Sequence, residues 1–128
     1  MQNQAVQAYQ QTSRTTVPQR DLEANLLSMA AAHLQRIRNE WELLEPELAT
    51  ALKFNRKLWT VFVTSVTDPE SKLPQETRES IANLGIFVLS RTAELQLVAT
   101  PEKLDALINI NRQLAAGLRA SPSDDVAA

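Results

Sequence analysis

The sequence predicts an all-α fold, a four-helix bundle, and three observations carry that prediction. Apolar residues recur at three- and four-residue spacing through four successive segments, the period of a helix that buries one stripe. Pro18, Pro46, Pro74 and Pro101 fall where those segments begin or end, as a residue without a backbone N–H must. Only 2 glycines occur in 128 residues, too few for the tight turns of an all-β chain.

Helix one reads from Pro18, with Thr16 or Val17 in the capping position. Its stripe is Leu22, Leu26, Met29, Ala30, His33, Leu34, Ile37, Trp41 and Leu44, and Pro46 ends it or opens the next helix. Helix two places Leu48, Leu52, Asn55, Trp59, Phe62 and Val66 on one face, with Leu58, Val61 and Val63 widening it. Residues 67–73 form the longest loop. Pro74 starts helix three, where Gln75, Glu76 and Glu79 sit near the positive end of the helix dipole. Ile81, Leu84, Phe87, Val88, Leu95 and Val98 line that helix. Thr100-Pro101-Glu102 combines a cap, a first-turn proline and a first-turn acid, and so starts helix four. Its stripe is Leu104, Leu107, Ile108, Asn111, Leu114, Ala115 and Leu118, ending near Gly117 and Pro122.

Short connections between four helices make antiparallel neighbours, hence a bundle over residues 18–119. Residues 1–17 are rich in Gln, Thr and Ser and read as a polar, mobile arm; residues 120–128 read as a short disordered tail.

Composition narrows the function. A net charge of −2 gives no global attraction to nucleic acid or anionic lipid. The absence of cysteine excludes disulfides and thiolate chemistry and suits a reducing cytosol. No run of 18 apolar residues occurs, and Met1-Gln2-Asn3-Gln4 does not open a secretory signal, so a cytoplasmic protein is expected.

Within helices two and three, the uncharged runs at residues 58–67 and 81–90 are apolar nearly all round. A surface helix needs an apolar stripe over only about one third of its circumference. Something must cover the surplus, either the chain's other helices or a partner.

No pattern of catalytic residues emerges. Glu40, Glu42, Glu45 and Glu47 cluster at the junction of helices one and two, in mixed-charge company that suits a solvated face. His33, the single histidine, lies on the apolar stripe with Arg36 and Ile37 at i+3 and i+4, which is not a metal-ligand pattern. There is no glycine-rich phosphate loop. The sequence therefore predicts no enzyme, no metal and no cofactor, and no small-molecule substrate. Lys53, Arg56 and Lys57, with Arg36 and Arg38 on helix one, offer a basic face for RNA phosphates. No aromatic interleaves with them for base stacking, which disfavours direct nucleic-acid binding.

Asn55 and Asn111 fall inside apolar stripes, where each needs a hydrogen-bond partner and can fix helix register. Gly85 in mid-helix costs up to about 1 kcal/mol relative to alanine, which a close helix approach would justify. Ile86, Leu89, Leu97, Val61 and Ile110 lie off the principal stripes; either they line a groove for a partner helix or an asymmetric bundle buries them.

Residues 54–62 (Phe54-Asn55-Arg56-Lys57-Leu58-Trp59-Thr60-Val61-Phe62), residues 83–88 (Asn83 to Val88) and residues 102–112 followed by Ala115-Ala116-Gly117-Leu118 form three distinctive stretches. Together they resemble the FlaF family of flagellar biosynthesis regulators. Pro18-Gln19-Arg20-Asp21-Leu22-Glu23-Ala24 resembles the family's helix-one start, and the resemblance spans about residues 9–119. It implies a small, non-enzymatic cytoplasmic protein of flagellated alphaproteobacteria. Such a protein acts beside a second regulator, FlbT, and binds flagellin as an export chaperone. It brings no residue-level site. On that expectation Leu58, Val61, Phe62, Ile86, Leu89 and Ile110 form the candidate apolar groove, with Asn55, Asn111 and Gly85 as structural residues. The alternative is a post-transcriptional regulator acting with FlbT on flagellin mRNA, as adaptor or RNA binder.

Overall fold

The computed structural model describes residues 16–120 and shows the four-helix architecture. The helices are α1 (Thr16–Asn39), α2 (Leu48–Thr67), α3 (Gln75–Leu97) and α4 (Leu104–Ala120), and no strand occurs among the described residues. Thr16 and Val17 already belong to α1, and Ala120 still belongs to α4; the rest of the expected arm and tail lies outside the described residues.

Helix α1 stops five residues earlier than its apolar stripe suggests. Glu40 leaves helical geometry at φ −121° and ψ 49°, and a single turn, Trp41–Leu44, then runs into a 3₁₀ turn, Glu45–Glu47, with Pro46 in its second position. Trp41 and Leu44 still pack against the core from this corner. At the start of α4, extended Thr100 precedes a 3₁₀ turn, Pro101–Lys103, but its hydroxyl makes no capping bond. Helix α4 passes straight through Gly117, which has no positive φ, so that glycine is not a helix stop.

α1 packs most extensively on α4, and α2 on α3; α1 also packs on α2, whereas α3 meets α4 only slightly. The core runs through Leu27, Leu34, Leu52, Trp59, Leu104 and Leu107. This asymmetry corrects two of the expected stripes. On α1 the buried face is Ala24, Leu27, Ala30, Ala31, Leu34 and Ile37, so Leu22 and Met29 are turned outward. On α3 only Gly85, Val88, Thr92 and Leu95 are buried, which leaves Leu84, Phe87 and Val98 exposed. An outer helix that meets one neighbour well buries a narrow face.

Two carboxylates pin α1 to its neighbours. Arg38 donates two hydrogen bonds to Asp105 on α4, at 2.7 and 3.2 Å, and His33 and Arg36 reach Glu47 at 2.8 and 3.2 Å. The hydrogen bond from Arg38 holds the Asp105 carboxyl below its ordinary range, and that from His33 does the same for Glu47. Their contributions are present at neutral pH and lost as pH falls through the lowered values; both pairs are exposed and so contribute little.

Glu23 has the opposite sign. Burial pushes its carboxyl up, against the hydrogen bond from Gln19 (2.7 Å) and the charge of Arg20. The neutral form favours folding, and that contribution fades as pH rises through the raised value. Glu23→Gln is therefore expected to match the parent protein near pH 3 and to exceed it in urea midpoint at pH 7. A gap that stays constant with pH would mean that the carboxyl is fully hydrated.

Candidate partner-binding surface

The six residues of the expected groove do not line one groove. Leu58 and Phe62 are buried in the core, and Ile110 packs half-buried against it. Leu89 is half-buried, while Val61 and Ile86 are exposed at 50% and 65%. Val61 and Ile86 also face different ways. Val63 packs against Gly85 of α3, and Val61 lies two residues earlier, about 200° around α2, on the flank away from α3. The asymmetric bundle thus absorbs part of the apolar surplus and leaves the rest outside.

The polar residues of the stripes meet in the core. Trp59 Nε1 donates to Asn111 Oδ1 at 2.9 Å, and Asn111 Nδ2 donates to Asn55 Oδ1 at 2.7 Å. All three residues are fully buried. An indole N–H is a donor only, so it fixes the orientation of the Asn111 amide and, through it, of Asn55. Asn55 Nδ2 is left without a partner. The chain ties α2 to α4 across the bundle diagonal. At Gly85 a Cβ would collide with Val63 Cγ2 and touch Trp59 Cε3 at 3.6 Å, so this glycine sets how closely α2 and α3 approach.

Apart from Leu43 in the corner turn, the large apolar side chains left at the surface fall into two sets. One lies on α3: Ile86, Leu97 at 86% exposed, Leu84 and Phe87, whose ring is covered by the Arg91 guanidinium at 5.1 Å. The other is shared by α1 and α2. Leu22, Leu26, Met29 and His33 follow i, i+4, i+7, i+11 along one flank of α1, and Phe54, Leu58 and Val61 follow i, i+4, i+7 along one flank of α2. The contact of His33 with Glu47 sets the antiparallel register of the pair. Arg36 reaches the same Glu47 oxygen, so the two flanks run antiparallel, side by side. Leu22, Met29, Phe54 and Val61 are 36%, 63%, 42% and 50% exposed, and half-buried Leu26 and buried Leu58 lie beneath them. Sequence reading missed this set because it assigned Leu22 and Met29 to the core; their spacing of seven, matched by that of Phe54 and Val61, was the available signal.

Lys53, Arg56 and Lys57 are all exposed, and none of their side chains makes an ion pair or hydrogen bond within the described residues. Arg36 and Arg38, the other members of the expected basic face, are engaged with Glu47 and Asp105. Among the described residues no group of three or more His, Asp or Glu is placed to hold a metal ion, and no helix is long and apolar enough to cross a membrane. Two open hollows lie at the surface of the described residues, one beside Trp41 and Leu43 and one between Val66, Arg78 and Ala82.

The described residues define an all-helical domain with one continuous apolar core and large apolar side chains left outside it. Residues 5–118 match the family described as flagellar protein FlaF, and the chain belongs to the FlaF family. No curated protein and no solved structure gives a significant match.

Proposed function

We propose that this FlaF-family chain is a non-enzymatic cytoplasmic chaperone that binds flagellin and thereby controls flagellin production and filament assembly. The observation that supports this reading most is the pair of exposed apolar rows on a domain whose core is already filled. Unassembled flagellin termini are apolar on one side and prone to premature self-association, and an added helix on such a row would shield them. A second reading draws support from the unpartnered Lys53, Arg56 and Lys57: a regulator that acts with FlbT on flagellin mRNA.

Co-expression with a cognate flagellin and co-elution from a sizing column at about 0.15 M and 0.5 M salt separates the two, because phosphate contacts weaken steeply with salt. A complex that survives both conditions is expected. No flagellin complex, together with binding of FlbT or the transcript, would overturn the chaperone reading.

A further inference from the structure

The apolar set shared by α1 and α2 differs from the one on α3 in having two walls. Leu22 and Met29 rise on one side, Phe54 and Val61 on the other, and each pair is seven residues apart, or about 10 Å along its helix. Two parallel rows at that repeat match the a and d positions of a third helix lying in the seam. The α3 residues Ile86 and Leu97 instead stand on one convex helix and form no such trough.

The seam also has a sign. Lys57 falls between Phe54 and Val61 in height and slightly outward of them, and Lys53 sits one turn before it on the same outward face. Neither cation has a partner within the described residues. An incoming helix with acidic residues beside its apolar edge would pair them; one with basic residues there would be repelled.

We propose that the α1/α2 seam is the docking site of a partner's amphipathic helix carrying acidic residues along its apolar edge. The proposal rests on the chaperone reading and specifies where and by what chemistry the exported segment is held. Apolar contact with Met29, Phe54 and Val61 supplies most of the affinity, and Lys53 and Lys57 select the partner's charge.

The test uses the full chain and two labelled synthetic amphipathic helices of about 18 residues, identical in apolar positions and flanked by Glu in one and Lys in the other. Fluorescence anisotropy is expected to show the Glu-flanked helix binding about tenfold or more tighter at low salt. Lys53→Glu with Lys57→Glu should reverse that preference. Met29→Asp or Val61→Asp should abolish binding, whereas Ile86→Asp on α3 should leave it unchanged. All five positions are exposed, and an unchanged helical circular dichroism signal checks folding.

Equal binding of both peptides, or loss with Ile86→Asp but not with Val61→Asp, would overturn the proposal. So would binding of polyuridylate that requires the two lysines and ignores Met29→Asp, since the cations would then serve RNA. Concentration-dependent dimerisation abolished by Val61→Asp, without peptide binding, would assign the seam to a second copy instead. If the acidic peptide binds as expected and flagellin does not, the seam stands and the chaperone reading falls.

Discussion

Replacing Asn111 by alanine is expected to cost about 3–5 kcal/mol, the largest single-residue effect in this fold apart from deletion of a large core side chain. Asn111 is fully buried, accepts from Trp59 Nε1 and donates to Asn55 Oδ1. Alanine removes both partners at once. The Trp59 N–H is left unpaired, Asn55 loses its single interaction while its Nδ2 is already orphaned, and a cavity opens between α2 and α4. An unsatisfied buried polar group costs about 1–3 kcal/mol, and two of them with a cavity reach the stated range. Asn55→Ala is expected to cost less, because Trp59 keeps its acceptor. Urea unfolding followed by circular dichroism measures both. A loss below about 1 kcal/mol for Asn111→Ala would mean that water enters and completes the network, which the packing of Trp59 would then have to admit.

Gly85→Ala is expected to destabilise the protein by about 1–2 kcal/mol, against the sign that helix propensity alone would give. In an exposed helix the same change gains about 0.5–1 kcal/mol. Here the new Cβ would run into Val63 Cγ2, and Val63 is β-branched, with one strongly preferred rotamer in a helix. Overpacking of this kind costs about 1–3 kcal/mol. The decisive variant is the pair: with Val63→Ala in place the collision is gone, and Gly85→Ala should become stabilising. If Gly85→Ala stabilises the protein with Val63 intact, α2 and α3 have room to separate and the glycine does not set their distance.

These two sites show what the sequence could specify. Asn55 and Asn111 stood out because an amide inside an apolar stripe must find a partner, and the registers of α2 and α4 were readable because their large apolar residues coincide with their buried faces. Helix α1 resisted the same reading. Its buried face includes Ala24, Ala30 and Ala31, and alanine carries little weight beside Leu22 or Met29 in an apolar stripe. Yet small residues are what the close α1–α4 contact selects. The stripe was accordingly rotated onto the outer flank. Helix α3 failed for a different reason: its uncharged run implied cover on most sides, and within the described residues only α2 covers it well. The expected groove inherited both errors. It combined Val61 with Ile86 across a bundle that faces them apart, and it took Leu58 and Phe62 from the core.

The same misreading explains why the α1/α2 seam was invisible before the fold was known. Each of its rows is plain in the sequence, but only the antiparallel pairing of α1 with α2, marked by the contacts of His33 and Arg36 with Glu47, brings the two rows side by side. Helix periodicity gives rows; tertiary packing decides which rows face each other.

If apolar contact holds flagellin on this domain, calorimetric titration of the full chain with monomeric flagellin at several temperatures will register it. Saturable one-to-one binding with a negative heat-capacity change is the predicted result, since burial of apolar surface produces that sign whatever the enthalpy at one temperature. Absence of binding, or binding with no heat-capacity change that disappears at about 0.5 M salt, would rule out apolar capture of flagellin.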